Sequence, residues 1–207
     1  GRPHLVDPSK LIAGSRTSLG SLCDVYGTPL PLPAESLIEG GIAGLSVIDT
    51  PGHAPHHSSY IYELDGLRIL FAGEAAGCWF RLDDGGCFMR PATPHKFFYD
   101  TAMDSLNKLL SLQDIDLVCF PHSGYLKDAR AVFEAARNQM ALWLEILSSL
   151  PEKASPEAAV SALKAQDPML AKLEKMPEMA GKREEFFIGQ SAKGYLGWIE
   201  RERSAGV

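Results

Sequence analysis

The chain has 207 residues, 45% of them hydrophobic, and a formal net charge of −6. That length and apolar content predict one domain with a real core, with room for a small appendage. The acidic balance and interspersed charges argue against a nucleic-acid groove or an anionic membrane surface, and no apolar run is long enough to span a bilayer.

Residues 1–44 are rich in Gly, Pro and Ser. Short apolar runs at His4–Val6 and Leu11–Ala13, with a Pro-rich loop over Thr28–Pro33, predict irregular connecting structure and one or two short strands. The opening Gly1-Arg2-Pro3-His4-Leu5-Val6-Asp7 is expected to enter a domain at a strand. Gly40-Gly41 and Gly44 lead into Leu45–Asp49, a strand candidate. Ser59–Leu64 and Leu67–Ala72 flank Asp65-Gly66, a two-residue loop whose chemistry predicts a type I′ hairpin. Phe98–Leu112 repeats Met103, Leu106, Leu109 and Leu110 at helical spacing. Asp116–Phe120 is a short buried strand. Asp128–Leu150 is an amphipathic helix stopped by Pro151. Ser155-Pro156-Glu157 starts another, with a capping hydroxyl, Pro at the first helical position and an acid in the first turn. A last helix is expected over Glu184–Arg203, where Gly189, Gly194 and Gly197 weaken it or mark close backbone packing.

Chemistry gathers at three loop positions. His53 follows Pro51-Gly52, a turn that fixes its direction. Glu74 ends the strand Arg68–Gly73, where a carboxylate is either solvated or bound to something positive. His122 emerges from the apolar strand Val118-Cys119-Phe120. A hairpin with arms of similar length returns the Glu74 loop to the same sheet end as the His53 loop. Imidazoles and a carboxylate supplied from separate loops are how a scaffold builds a metal site. Trp79, Phe80 and Tyr125 either form an apolar substrate wall or pack under loops, and His95 is read as a surface histidine. Cys23, Cys78, Cys87 and Cys119 form no CxxC pair, the pattern of reduced thiols in a cytoplasmic protein.

The order Thr50-Pro51-Gly52-His53-Ala54-Pro55-His56-His57, a hairpin, Phe71-Ala72-Gly73-Glu74, then Cys119-Phe120-Pro121-His122-Ser123-Gly124 resembles the metallo-β-lactamase superfamily. The resemblance covers about His4 to Tyr125 and, more loosely, the C-terminal helices. There Phe186–Ser191 and Gly194-Tyr195 look like the tail of a stand-alone hydrolase-like branch. It implies an α+β fold, an αββα sandwich of two mixed sheets with helices outside, spanning 1–207 as one domain that is mostly helical over 127–207. It also implies that His53 is a ligand of a first metal, that Glu74 stands where most members carry a bridging Asp, that His122 is a ligand of a second metal, and that His56 and His57, after the same turn, support the ligands or line a pocket. The superfamily's His-x-His-x-Asp-His signature does not occur in the chain, so the resemblance is to the C-terminal part of such a domain. Implied with it are zinc as the default metal, two ions in an intact site, with iron or manganese compatible with N and O donors. The implied activity is hydrolysis of a small ester, thioester or amide by metal-held hydroxide. Iron-dependent sulfur dioxygenase-like chemistry and a catalytically incomplete fragment are the rival readings. A homo-oligomer that covers exposed sheet edges is expected.

Overall fold

The computed structural model describes residues 1–38, 42–122 and 124–206 and divides the chain into two units, Gly1–Ala43 and Gly44–Val207. Gly40, Gly41 and Ser123 of the sequence motifs lie outside the described residues. The first unit is helical where short strands were expected. It holds α1 (Arg2–Val6), α2 (Ser9–Leu19) and α3 (Cys23–Tyr26). Apolar runs of three residues carry no period that separates helix from strand, and the decisive signals are at the ends. Pro3 sits in the first turn of α1, where a missing N–H costs nothing. The Asp7 carboxylate accepts from the Ser9 N–H and hydroxyl at the start of α2. Gly20 takes a positive φ of 58° where α2 ends.

The second unit starts with β1 (Leu45–Asp49), β2 (Ser58–Leu64) and β3 (Leu67–Phe71), an antiparallel meander. Asp65 at φ 50° and Gly66 at φ 80° supply the two positive values that the tight loop demands. The chain then makes an antiparallel pair of its own, β4 (Cys78–Arg81) and β5 (Cys87–Arg90). It crosses through α4 (Tyr99–Leu110) and returns as β6 (Leu117–Phe120), parallel to β3, with β7 (Gly124–Leu126) antiparallel beside it. The five-stranded sheet has the order β1-β2-β3-β6-β7. Among the described residues, the second sheet is the two-stranded β4–β5 pair alone.

Three helices follow. In α5 (Ala129–Ser148) the Asp128 carboxylate caps the first turn, accepting from the Ala131 N–H, and in α6 (Pro156–Gln166) the Ser155 hydroxyl accepts from that of Ala158. The last helix, α7 (Glu178–Ala205), is longer than expected. Its glycines mark close packing: a Cβ on Gly194 would lie 2.4 Å from the Pro94 carbonyl oxygen. No helix among the described residues is long and apolar enough to cross a membrane.

The two faces of the large sheet differ. Ile61, Leu70, Val118 and Phe120 join the buried cluster that also holds Leu106, Leu109, Phe133 and Trp143 from the helices. On the other face, Val47, Tyr60, Phe71, Cys119 and Tyr125 are register partners across all five strands. Of that row, Val47 is 49% exposed, Tyr60 41%, Phe71 43% and Tyr125 53%.

The strand directions set the functional edge. β2 runs against both β1 and β3, and β6 runs with β3. So β1, β3 and β6 point the same way, and the segments that follow them, carrying His53, Glu74 and His122, leave the sheet at one end. Open sheets use that carboxyl end for ligands.

Candidate metal centre

Helix α4 pins the first of these segments. Ser105 donates its hydroxyl to the Pro51 carbonyl at 2.6 Å, and Lys108 donates to the Asp49 carbonyl at 2.6 Å. Gly52, at φ 152°, lies so close to α4 that a Cβ would meet the Ala102 Cβ at 2.9 Å. His53 is thereby held with its ring over the loop after β5, and its Nδ1 lies 3.0 Å from the Ala92 carbonyl oxygen. A carbonyl only accepts, so Nδ1 carries the proton and Nε2 is the nitrogen left to bind.

That nitrogen faces Glu74. His53 Nε2 lies 3.0 Å from Glu74 Oε2, and His122 Nε2 lies 3.2 Å from Glu74 Oε1. Two imidazoles thus converge on one carboxylate, one on each oxygen. With Nδ1 committed to Ala92, neutral His53 would aim a lone pair at a carboxylate oxygen, so a proton or a metal cation belongs between them. In the metal-free chain a proton fills the role. Burial alone would lower the His53 pKa, but the hydrogen bond and charge of Glu74 outweigh it and the net shift is upward. Burial alone would raise Glu74; the hydrogen bonds and charges of His122 and His53 hold it well below the usual carboxylate range instead.

His57 has a different part. The backbone N–H of Glu74 donates to His57 Nε2 at 3.0 Å, so that nitrogen accepts, and Nδ1 carries the proton toward the Thr50 carbonyl at 3.0 Å and the Thr50 hydroxyl at 2.9 Å. The Thr50 hydroxyl lies 2.9 Å from that of Ser59, which donates to the Ala72 carbonyl at 3.0 Å. The direction is therefore fixed along the whole chain, from Glu74 through His57, Thr50 and Ser59 to Ala72. Thr50 and Ser59 are fully buried. Both nitrogens of His57 are engaged, so it offers no lone pair to a metal and instead orients the turn that carries Glu74. Burial, then the charge of His53, lowers its pKa, which keeps the one neutral tautomer that this chain requires. Gly73, at φ 56°, leaves room for the ring: a Cβ there would stand 2.3 Å from His57 Nε2.

His56 is exposed on the turn beside His57, and His95 is exposed, as read from the sequence. Trp79 is 3% exposed and stacks on Phe120 at 5.9 Å. It packs in the core rather than walling a substrate pocket, because β4 turns that side chain inward. Tyr125 stands on the exposed sheet face. One group read from the sequence only as a reduced thiol joins the cluster: Cys78, 1% exposed, donates its S–H to Glu74 Oε1 at 3.6 Å. Glu74, Cys78 and His122 offer ligand atoms within 4.8 Å of one another. Burial pushes the Cys78 thiol up to about 12. The only sequence signal for Cys78 was its spacing from Glu74 across the turn that Gly77 closes. On the core side, the crevice behind His53 and Glu74 holds about 10 Å³, so access to the cluster is from the His122 side, where that ring is 48% exposed.

No family model matches the chain. A curated relative, a metallo-β-lactamase fold-containing protein of Sulfurisphaera tokodaii, is 33% identical over 125 residues, 56% of this chain and 44% of the relative. A solved metallo-β-lactamase family protein of Thermus thermophilus superposes with a TM-score of 0.50 at 20% identity, over 99% of this chain and 63% of that one. A β-lactamase domain protein of Burkholderia ambifaria gives 0.52 at 16% identity, over 95% and 55%. The chain thus spans less than two thirds of the length of each of these three proteins.

Proposed function

We propose that the chain, which shares the metallo-β-lactamase fold of the proteins it is similar to, is a metal-dependent hydrolase of that superfamily acting on small ester, thioester or amide substrates, with His53, Glu74 and His122 as metal ligands. The observation that carries the reading is the pair of imidazole Nε2 atoms on the two oxygens of one carboxylate. The donors fit a divalent ion of the zinc, iron or manganese kind. His53 is fixed in the tautomer that binds through Nε2, and the Glu74 carboxylate supplies negative charge between the two rings. Zinc is the proposed metal, two ions that His53, Glu74 and His122 would help to hold.

A divalent metal at this position supplies Lewis acidity toward a carbonyl and brings the pKa of a water near neutrality. The chain's own residues do the rest. Ala92 holds the His53 ring, and His57 holds the Glu74 backbone, so neither ligand has to reorganise when charge develops. The small crevice behind His53 leaves little room for water on the core side. Substrate approaches past His122, the most exposed of the three. The cytoplasmic location suggested by four free cysteines belongs to the same proposal. So does the homo-oligomer, supported by the exposed apolar row on the large sheet; sedimentation as a monomer at micromolar concentration would remove it.

The test is metal content of the purified wild type beside His53→Ala and His122→Ala, with turnover of a panel of chromogenic esters and thioesters. Bound zinc that drops in both variants, together with hydrolysis lost in both, is the expected result. Full metal in both variants would end the assignment. One iron per chain with oxygen consumed on persulfides would replace hydrolysis by the oxidative reading.

A further inference from the structure

The turn after β3 brings a sulfur to the metal centre. Gly77 donates its N–H to the Glu74 carbonyl at 3.0 Å, closing a four-residue turn, and takes a positive φ of 77°. A Cβ on Gly77 would meet the Arg90 carbonyl oxygen at 2.3 Å, so β5 presses directly on that turn. The next residue, Cys78, opens β4 opposite Arg90, and its Sγ comes to 3.6 Å from the Glu74 Oε1 atom that also faces His122.

Granting the metal centre proposed above, on which this rests, we propose that Cys78 is a third protein ligand, as thiolate, of the ion held by Glu74 Oε1 and His122 Nε2. Two of the three donor separations match a coordination shell. Tetrahedral zinc with bonds of about 2.0–2.1 Å to N or O and about 2.3 Å to sulfur has donor-to-donor edges of about 3.3 Å and 3.6 Å. The His122–Glu74 separation is 3.2 Å and the Cys78–Glu74 separation is 3.6 Å, and all three ligand atoms lie within 4.8 Å of one another. A buried cysteine is commonly no more than a small apolar side chain. A thiol hydrogen bond to Glu74 Oε1 holds the sulfur while the proton is on it, and the same atom stands where a thiolate would meet an ion on the one carboxylate oxygen that a histidine shares. Among the described residues, no other cysteine joins such a donor group.

On binding, the S–H bond breaks, its electron pair stays on sulfur and forms the bond to the ion, and the proton leaves to solvent. The shell then divides by softness. Glu74 Oε2 and His53 offer only O and N, while Glu74 Oε1, His122 and Cys78 form a mixed O/N/S set that selects zinc, iron or cobalt over magnesium, calcium or manganese.

X-ray absorption at the zinc edge of the zinc-loaded wild type reads this directly. A sulfur shell at about 2.3 Å is expected, absent from Cys78→Ser. Cobalt-loaded wild type should show near-ultraviolet sulfur-to-metal charge transfer that both Cys78→Ser and Cys78→Ala lack. Zinc affinity in those variants should fall at least tenfold, while manganese affinity stays within twofold. A nitrogen and oxygen shell alone in the wild type, with metal still lost in His122→Ala, would overturn the cysteine ligand and leave the metal centre standing. A wild type that takes up neither zinc nor cobalt would overturn both. The wild-type spectra decide the matter even if a variant fails to fold.

Discussion

Glu74 and Glu184 each hold two nitrogen groups, one per carboxylate oxygen, and they are built for opposite ends. Glu184 is 1% exposed; Arg90 Nε donates to its Oε2 at 2.6 Å and Arg183 Nε to its Oε1 at 2.9 Å. Arg90 is itself 6% exposed, donates to the Pro91 carbonyl, and lies 5.1 Å from the centre of the Phe187 ring. Guanidinium keeps its charge at every accessible pH, so this cluster ties β5 to α7 permanently. Around Glu74 the partners are imidazoles. An imidazole that loses its proton becomes a ligand, so the contacts that close the metal-free site are the ones a cation can take over. A carboxylate between arginines is a finished contact; one between histidines is an exchangeable one.

The largest effect should come from breaking the arginine cluster. Arg90→Leu leaves the Glu184 charge buried with one partner, and losing one side of a buried pair costs about 3–5 kcal/mol. Calorimetry should show the melting temperature falling by about 6–20 °C, at the 2–4 °C per kcal/mol of chains this size. Glu74→Gln should do the reverse: a melting temperature within about 4 °C of metal-free wild type, since its partly exposed pairs are worth about 1 kcal/mol or less, but no retained metal. If Glu74→Gln unfolded the protein while Arg90→Leu did not, the contrast between the two carboxylates would be wrong.

Gly73→Ala sharpens the comparison at a lower level. The added Cβ would meet the His57 ring at 2.3 Å with φ at +56°, and a non-glycine residue held in such a region costs about 1–3 kcal/mol. The ring must move, and with it the acceptor for the Glu74 N–H. Loss of stability together with weaker zinc binding is expected, read by thermal melts and zinc titration. His57→Ala isolates the second part. Removing a group that orients a ligand typically weakens metal binding about 10–100-fold. His56→Ala, at the exposed neighbouring position, should bind zinc within about twofold of wild type.

The contrast also explains what the residues disclosed before folding. The Asp65-Gly66 loop, the Asp128 and Ser155 caps and the 3.6-residue repeat in α4 and α5 are local chemistry, so those elements were legible. The convergence of His53, Glu74 and His122 was legible in part, because a hairpin with equal arms returns its second loop to the first, and it was strengthened by the family resemblance. The short helices of the first unit were not, since their apolar runs are too brief to show a period. Nor were β4 and β5, four residues each and buried without alternation. Cys78 was hidden for the same reason as Arg90: its place depends on the Gly77 turn lying against the carbonyl of Arg90, a contact between segments with no sequence signature. The arginine cluster reaches across 94 positions to α7, beyond any local pattern.

The smallest effect is a pair of opposed pH slopes in the metal-free protein. Glu74 is depressed from 4.5, so its contribution is present above pH 4.5 and is lost as pH falls through the folded value. His53 is raised from 6.5; its contribution is complete below pH 6.5 and is lost as pH climbs through the folded value. The pair therefore stabilises most between pH 4.5 and 6.5. His57 runs the other way. It is lowered from 6.5, the unfolded chain takes the proton first, and its contribution is complete above pH 6.5 and is lost as pH falls. Denaturant titrations of apo protein between about pH 5.5 and 7.5 should separate them. His53→Ala should leave a stability that rises with pH, because the His57 contribution is then unopposed, and His57→Gln should leave one that falls. Saturating zinc should reverse the His53 slope, since the folded chain then carries the metal and no proton on Nε2 while the unfolded chain still takes one up as pH falls. A His53→Ala protein whose stability still fell with rising pH would mean that the proton between His53 and Glu74 is not the stand-in for a cation.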